Sequence, residues 1–143
     1  MLGIDTNILL YSLNPDSAFH HAARGFLAEA FQNDRIVLSD LVLVELYLLL
    51  RNPVVTVRPL SPASAVEIVH GFLRQPNVTR AETAPVMDLV WEHAAHSGFA
   101  RRRIIDLRLA FTLQHHGVTR FATANVKDFT DTGFAKVWNP ASV

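Results

Sequence analysis

The sequence predicts an α/β domain built on a mostly parallel sheet. Short apolar or β-branched runs alternate with longer stretches of helical periodicity along the chain. Prolines and glycines punctuate the helical stretches: Pro62 and Pro85 stand where helices open, Gly98 and Gly117 where they close. The 143 residues, half of them apolar, suit one domain over 1–143 with a sizeable core.

Taken in order, "LGID" at 2–5 reads as a first strand. Ile8, Leu9, Leu10, Tyr11 and Leu13 follow it with more apolar surface than one buried helical face needs. Core packing is the default reading there, and a partner surface the sharper one. Residues 18–33 repeat apolar side chains at Ala22, Phe26 and Ala30 and at Ala23, Leu27 and Phe31, which is helical spacing, with Asp16 or Ser17 as cap. "RIVLS" at 35–39 is a short buried strand, and Ser39 or Asp40 caps a helix over 41–51 that the Asn52–Pro53 pair ends. Residues 60–76 form a helix with Ser61 as N-cap, Pro62 at its first position and Pro76 as its close. A third strand falls at 77–82, a helix at 84–98 and another from about Asp106 to Gly117. A fourth strand lies within 118–125 and a fifth at 136–140.

Composition narrows the function. Thirteen Lys and Arg balance thirteen Asp and Glu, so there is no bulk charge to draw the chain to nucleic acid or membrane, although a local patch remains open. The absence of cysteine excludes disulfides and thiolate metal sites. "MLGIDTN" lacks the basic start of a signal peptide, and no apolar run approaches the roughly 20 residues that span a bilayer. A cytoplasmic protein with no membrane segment is expected.

In a parallel sheet ligands bind beyond the carboxyl ends of the strands, so the residues there carry the most information. Asp5 ends the first strand, Glu45 lies on the helix after the second, and Asp106 opens the helix before the fourth. Asn125 and Asp128 follow the fourth strand. Asp5 in "LGIDTNILL" and Asp106 in "RIIDLRLAF" sit among apolar neighbours, where an ionised carboxylate needs a cation or a shifted pKa. Each Asp has a plainer alternative as a helix cap, and Asp128 as an ordinary loop residue. Glu45 has no capping role in mid-helix; it is buried if the apolar stretch around it is core, and a surface-facing Glu45 would need an interface to explain its apolar neighbours. A hard divalent cation with oxygen ligands would satisfy several of these groups together, and Mg²⁺ suits phosphate chemistry.

At these residues the chain resembles the PIN-domain ribonucleases, specifically the VapC-type toxins of bacterial toxin–antitoxin pairs. The matching pieces are "IDTNILLY" at 4–11, "LSDLVLVELYLLLRNP" at 38–53, "IIDLRLAFTLQHHG" at 104–117, "FATANVKDF" at 121–129 and "VWNP" at 137–140. The resemblance implies a three-layer α/β/α sandwich with a five-stranded, mainly parallel sheet. It implies an endoribonuclease that uses Mg²⁺, with Mn²⁺ able to substitute, an RNA substrate, a homodimer and a cognate antitoxin protein. It places Asp5, Glu45 and Asp106 at the acidic metal positions, with Thr6, Asn7 and Thr123 as polar support. Asn125 stands where many members carry a fourth acid, and Asp128 is positioned to supply the missing carboxylate.

Arg101, Arg102 and Arg103 precede Asp106 and could grip RNA phosphates, or form a solvated loop. His93 and His96, three apart, can touch, but no "HExxH" pattern points to zinc. Two other readings compete with a nuclease. One is a binding module that keeps the fold and partner without catalysis, motivated by Asn125. The other is a phosphatase with an Asp nucleophile on the first strand; it usually needs a second Asp two residues on, where this chain has Asn7.

Overall fold

A computed structural model describes residues 1–142. The elements in chain order are β1 (Leu2–Ile4), α1 (Thr6–Leu13), α2 (His20–Asn33), β2 (Ile36–Ser39), α3 (Asp40–Leu50) and α4 (Pro62–Leu73). They continue with β3 (Val78–Ala81), α5 (Met87–Ala94), α6 (Arg103–His115), β4 (Arg120–Ala122), α7 (Val126–Phe129) and β5 (Lys136–Trp138). The five strands form one parallel sheet in the order β3-β2-β1-β4-β5.

That order explains the layers. The chain moves outward from β1 through β2 to β3, then returns to β4 on the other side of β1 and steps outward again to β5. Right-handed crossovers in opposite directions place their helices on opposite faces of the sheet. Contacts follow this division: α1 packs on α2 and α3, and α3 on α4, while α5 and α7 pack on α6. The reversal lies between β1 and β4, so the carboxyl ends of those two strands form the switch point. The sequence after β1 and β4 is "DTN" and "TAN".

Burial follows sheet position. Every residue of β1 and β2 is buried, whereas the edge strands β3 and β5 keep exposed positions. Covered on both faces, the central strands read as continuous apolar runs rather than alternating ones. Gly3 in β1 is required by close packing: a Cβ there would lie 3.1 Å from Val118 and 3.2 Å from both Leu113 of α6 and Phe121 of β4.

Several boundaries differ from the sequence reading, each for a local reason. The apolar residues after β1 form α1; Ile8 and Leu9 are buried, and Leu10, Tyr11 and Leu13 pack on the core, so this segment is core rather than an open surface. The cap of α3 is Ser39, whose Oγ accepts the Leu41 N–H at 3.1 Å, a contact worth about 1 kcal/mol. The helix expected over 84–98 runs only from Met87 to Ala94. Conversely, α6 starts at Arg103, three residues before Asp106, because the Arg103 N–H already finds the Ala100 carbonyl. Neither α2 nor α6 has a side-chain cap, and the short α7 was not expected. Gly117 ends α6 as anticipated, with φ at +89°.

Candidate active site

Beyond the ends of β1 and β4 a cleft of about 540 Å³ opens between α1, α3 and α6. Asp5, Thr6, Asn7, Glu45, Asp106 and Asn125 all line it. Four separate parts of the sequence thus meet at the topological switch.

Asp5 is the deepest of these groups, with only 6% of its surface exposed. It caps α1, its Oδ1 accepting the Thr6 N–H at 2.8 Å. The capping role is therefore real, but it occupies only one oxygen. Oδ2 faces the β4 side and accepts the Thr123 hydroxyl at 2.7 Å and the Asn7 amide at 3.4 Å. Thr123 Oγ1 in turn accepts the Asn125 N–H at 3.0 Å, and Asn7 Oδ1 accepts the Ala124 N–H at 3.1 Å. The segment after β4 is thereby tied to the segment after β1 through Thr123 and Asn7.

Electrostatics mark Asp5 as unusual. Burial pushes its carboxyl from 3.8 up to about 6; the Thr123 and Thr6 hydrogen bonds oppose that rise, and the charges of Glu45 and Asp106 add to it. Asp106, half-buried, is also raised, first by burial, then by Asp128 and Glu45, with Arg103 pulling the other way. Among the described residues, none of Asp5, Glu45, Asp106 and Asp128 forms a salt bridge. These like charges influence one another with no cationic side chain paired to any of them, an arrangement that costs free energy unless a proton or metal ion answers it.

The structure decides two alternatives left open by the sequence. Glu45 is exposed in the cleft wall, not buried. Its neighbours on the same strip of α3, Val44 and Leu48, are each 61% exposed, so the apolar run that looked like core is partly surface. The Thr6 hydroxyl lies 3.1 Å from Glu45 Oε2 and 3.2 Å from the Val42 carbonyl, tying the Glu45 side chain to α1. Asp106, in turn, lies in the first turn of α6 rather than at its cap, which leaves its carboxylate free of a capping role.

Asn125 lines the cleft and is the residue before α7, with no side-chain capping bond. Asp128, exposed on α7, does not line the cleft, although its charge reaches Asp106. Arg101 and Arg102 are exposed and without ion pairs among the described residues, whereas Arg103 pairs with Asp131. Arg108 enters the cleft wall on the turn after Asp106, as does Ile105, 66% exposed. The sequence reading named neither; the two are three residues apart on α6 and so share a face.

All the candidate donors around Asp5 are oxygens, the set preferred by hard divalent cations. Among the described residues no three carboxylate or imidazole groups converge as a ready-made ion-holding cluster. Among the described residues, too, no helix is long and apolar enough to cross a membrane.

Comparison with known proteins agrees with this geometry. The PIN domain family matches residues 3–135. Ribonuclease VapC24, present in two strains of Mycobacterium tuberculosis, is 51% identical over 140 residues, covering 98% of this chain and 97% of the relative. Among solved structures, the VapC20 toxin of Mycobacterium tuberculosis, described as cleaving the sarcin–ricin loop, superposes with a TM-score of 0.66 at 17% identity, covering 94% of this chain and 97% of that one. VapBC2 of Rickettsia felis, solved bound to a promoter DNA fragment, gives 0.63 at 15% identity over 96% of this chain and 97% of its own. The chain belongs to the PIN-domain family, as a protein of the VapC type.

Proposed function

We propose that this cleft is the active site of a metal-dependent endoribonuclease, the toxin of a toxin–antitoxin pair. The carrying observation is Asp5: a buried carboxylate at the switch point of a parallel sheet, influenced by two further carboxylates and without a salt bridge among the described residues. The full-length likeness to a named ribonuclease supports RNA as the substrate.

Asp5, Glu45 and Asp106 are the groups that would hold Mg²⁺ or Mn²⁺, with Asn125 as a neutral oxygen donor and Asp128 lending charge from α7. Bound there, such an ion supplies charge neutralisation at the scissile phosphate and a water of lowered pKa. Glu45 is exposed to the cleft and tied to Thr6, so it is placed to orient a water in the cleft and accept its proton. In-line attack breaks the bond from phosphorus to the 3′ oxygen and leaves a 3′-hydroxyl and a 5′-phosphate. Thr6, Asn7 and Thr123 keep Asp5 aimed into the cleft, and Arg101 and Arg102 hold flanking phosphates, while Arg103 is held by Asp131. A cognate antitoxin is the protein partner, and a second copy of the chain covers the exposed Val44, Leu48 and Ile105 around the cleft.

The test is purified protein with total cellular RNA in Mg²⁺, Mn²⁺ or EDTA, beside Asp5→Asn. Cleavage in either metal, none in EDTA and none by Asp5→Asn is expected. Asn125→Asp, which restores a carboxylate, should lower the Mg²⁺ concentration needed for half-maximal cleavage. Cleavage by Asp5→Asn equal to the parent would refute the role assigned to it. No cleavage in any metal, with RNA or antitoxin binding retained, would make the chain a PIN-fold binding module.

A further inference from the structure

We infer that a second cavity, beside the cleft, receives a nucleobase of the RNA strand close to the phosphate that is cut; this rests on the ribonuclease reading above. The cavity measures about 310 Å³, and its walls include His93, His96, Phe99, Arg103, Phe111 and Asp131. That volume lies at the lower end of cavities that take small ligands, roughly 300 Å³ upward.

Helix α6 links the cavity to the cleft. Arg103 lines the cavity, and Asp106, three residues along the same helix, lines the cleft. Side chains three apart on a helix are neighbours. The other α6 residues of the two sites lie on opposite faces of the helix, so a strand whose phosphate sits at Asp106 brings its adjoining base to this cavity by passing around the first turn of α6.

Charge and shape favour a base over a phosphate. Arg103 is paired with Asp131, so its charge is neutralised and a phosphate entering would meet a carboxylate. The rings suit a flat, neutral group. His93 and Phe111 pack edge to face with centroids 5.3 Å apart, and the His96 ring lies 6.3 Å from that of His93. His96 Nδ1 donates to the His93 carbonyl at 3.2 Å, which in the neutral ring leaves Nε2 as an acceptor. Ser97, Asp131 and Thr132 add polar groups that could meet a base edge. Unstacked bases of single-stranded RNA are recognised by this combination of aromatic stacking and polar edge contacts. The phosphates fall instead to Arg101 and Arg102, which are exposed and free of ion pairs among the described residues.

The test uses the full chain in EDTA, so that binding is read without cleavage. The probes are a fluorescent single-stranded RNA of random sequence, the four nucleoside 5′-monophosphates and inorganic phosphate. His93→Ala should weaken RNA binding about five- to a hundred-fold, the range of one base–aromatic stack. Phe99 packs on the small cluster of Val86, Val90, Leu107 and Phe111, so Phe99→Leu, which keeps the packing but removes the ring, is the second variant. The monophosphates should shift the ring resonances of His93 and Phe99, and inorganic phosphate should not. Unchanged RNA affinity in both variants overturns the base pocket. So does inorganic phosphate that shifts the same rings, which would make the cavity an anion site. Failure of the parent protein to cleave RNA in metal would sink the nuclease reading while leaving these binding results to stand alone.

Discussion

At the scale of single residues, Asp5 sets the strongest expectation. Its carboxyl binds a proton more tightly in the folded chain, at about 6, than in the unfolded one, at 3.8. A raised pKa contributes stability that is fully present below pH 3.8 and is lost as the pH rises through about 6. Over that window the metal-free protein should lose about 3 kcal/mol through this group alone. Asp106 is raised as well and acts in the same direction. The comparison that isolates Asp5 is parent against Asp5→Asn in EDTA, by urea denaturation from pH 4 to pH 7. The parent should weaken relative to the variant as the pH rises, and Mg²⁺ at pH 7 should restore the parent and not the variant. A difference that stays flat across the window would show that burial is not straining Asp5. This strain was partly legible beforehand, because a carboxylate between Ile4 and an apolar helix has few outlets. For Glu45 the same logic leaves burial and exposure open, and the side chain is exposed. Its neighbours Val44 and Leu48 look like core in a one-dimensional reading, but they are exposed, and hydropathy alone does not separate a buried face from an uncovered one.

At the scale of elements, the strands and the larger helices were legible from periodicity and from Pro and Gly. The shorter pieces were not. Helix α7 spans four residues, too few for a period to show, and the start of α6 carries no capping side chain to announce it. Nor does periodicity reveal how closely β1 approaches α6, which depends on Gly3. The three side chains facing it, Leu113, Val118 and Phe121, are at most 2% exposed and have little room to retreat. Gly3→Ala should therefore destabilise the protein by about 1–3 kcal/mol, the usual cost of overpacking a core. Asp5 lies two residues along the same chain, so metal-dependent cleavage should fall along with stability. Adding Leu113→Ala should recover part of the cleavage lost to Gly3→Ala, even though it opens space of its own. A urea midpoint for Gly3→Ala equal to that of the parent would mean that β1 and α6 are less tightly joined than this contact implies.

For the molecule as a whole, the sheet order concentrates chemistry at one point and leaves that point half uncovered. A parallel sheet whose strand order reverses between β1 and β4 opens a crevice there, and the crevice holds Asp5, Glu45, Asp106 and Asn125. Its rim carries Val44 and Leu48, each 61% exposed, on α3 and Ile105, 66% exposed, on α6. Three large apolar side chains at the mouth of the cleft are costly to leave in water, at roughly 25 cal/mol for each Å² uncovered. No composition total predicts this, because the net charge is zero and the apolar half of the chain mostly fills the core. The proposed homodimer removes that cost by apposing the rims of two copies. Leu48→Glu with Ile105→Glu should then shift the protein from dimer to monomer in sedimentation at micromolar concentration. These positions are already solvent-exposed within one copy, so the thermal midpoint of the isolated monomer should hardly move. Cleavage should fall with the loss of dimer if a closed rim helps keep RNA in the cleft. A parent protein that sediments as a monomer, or a double variant that stays dimeric, would place the contact between copies elsewhere or remove it, and would leave this apolar rim as the surface for the antitoxin instead.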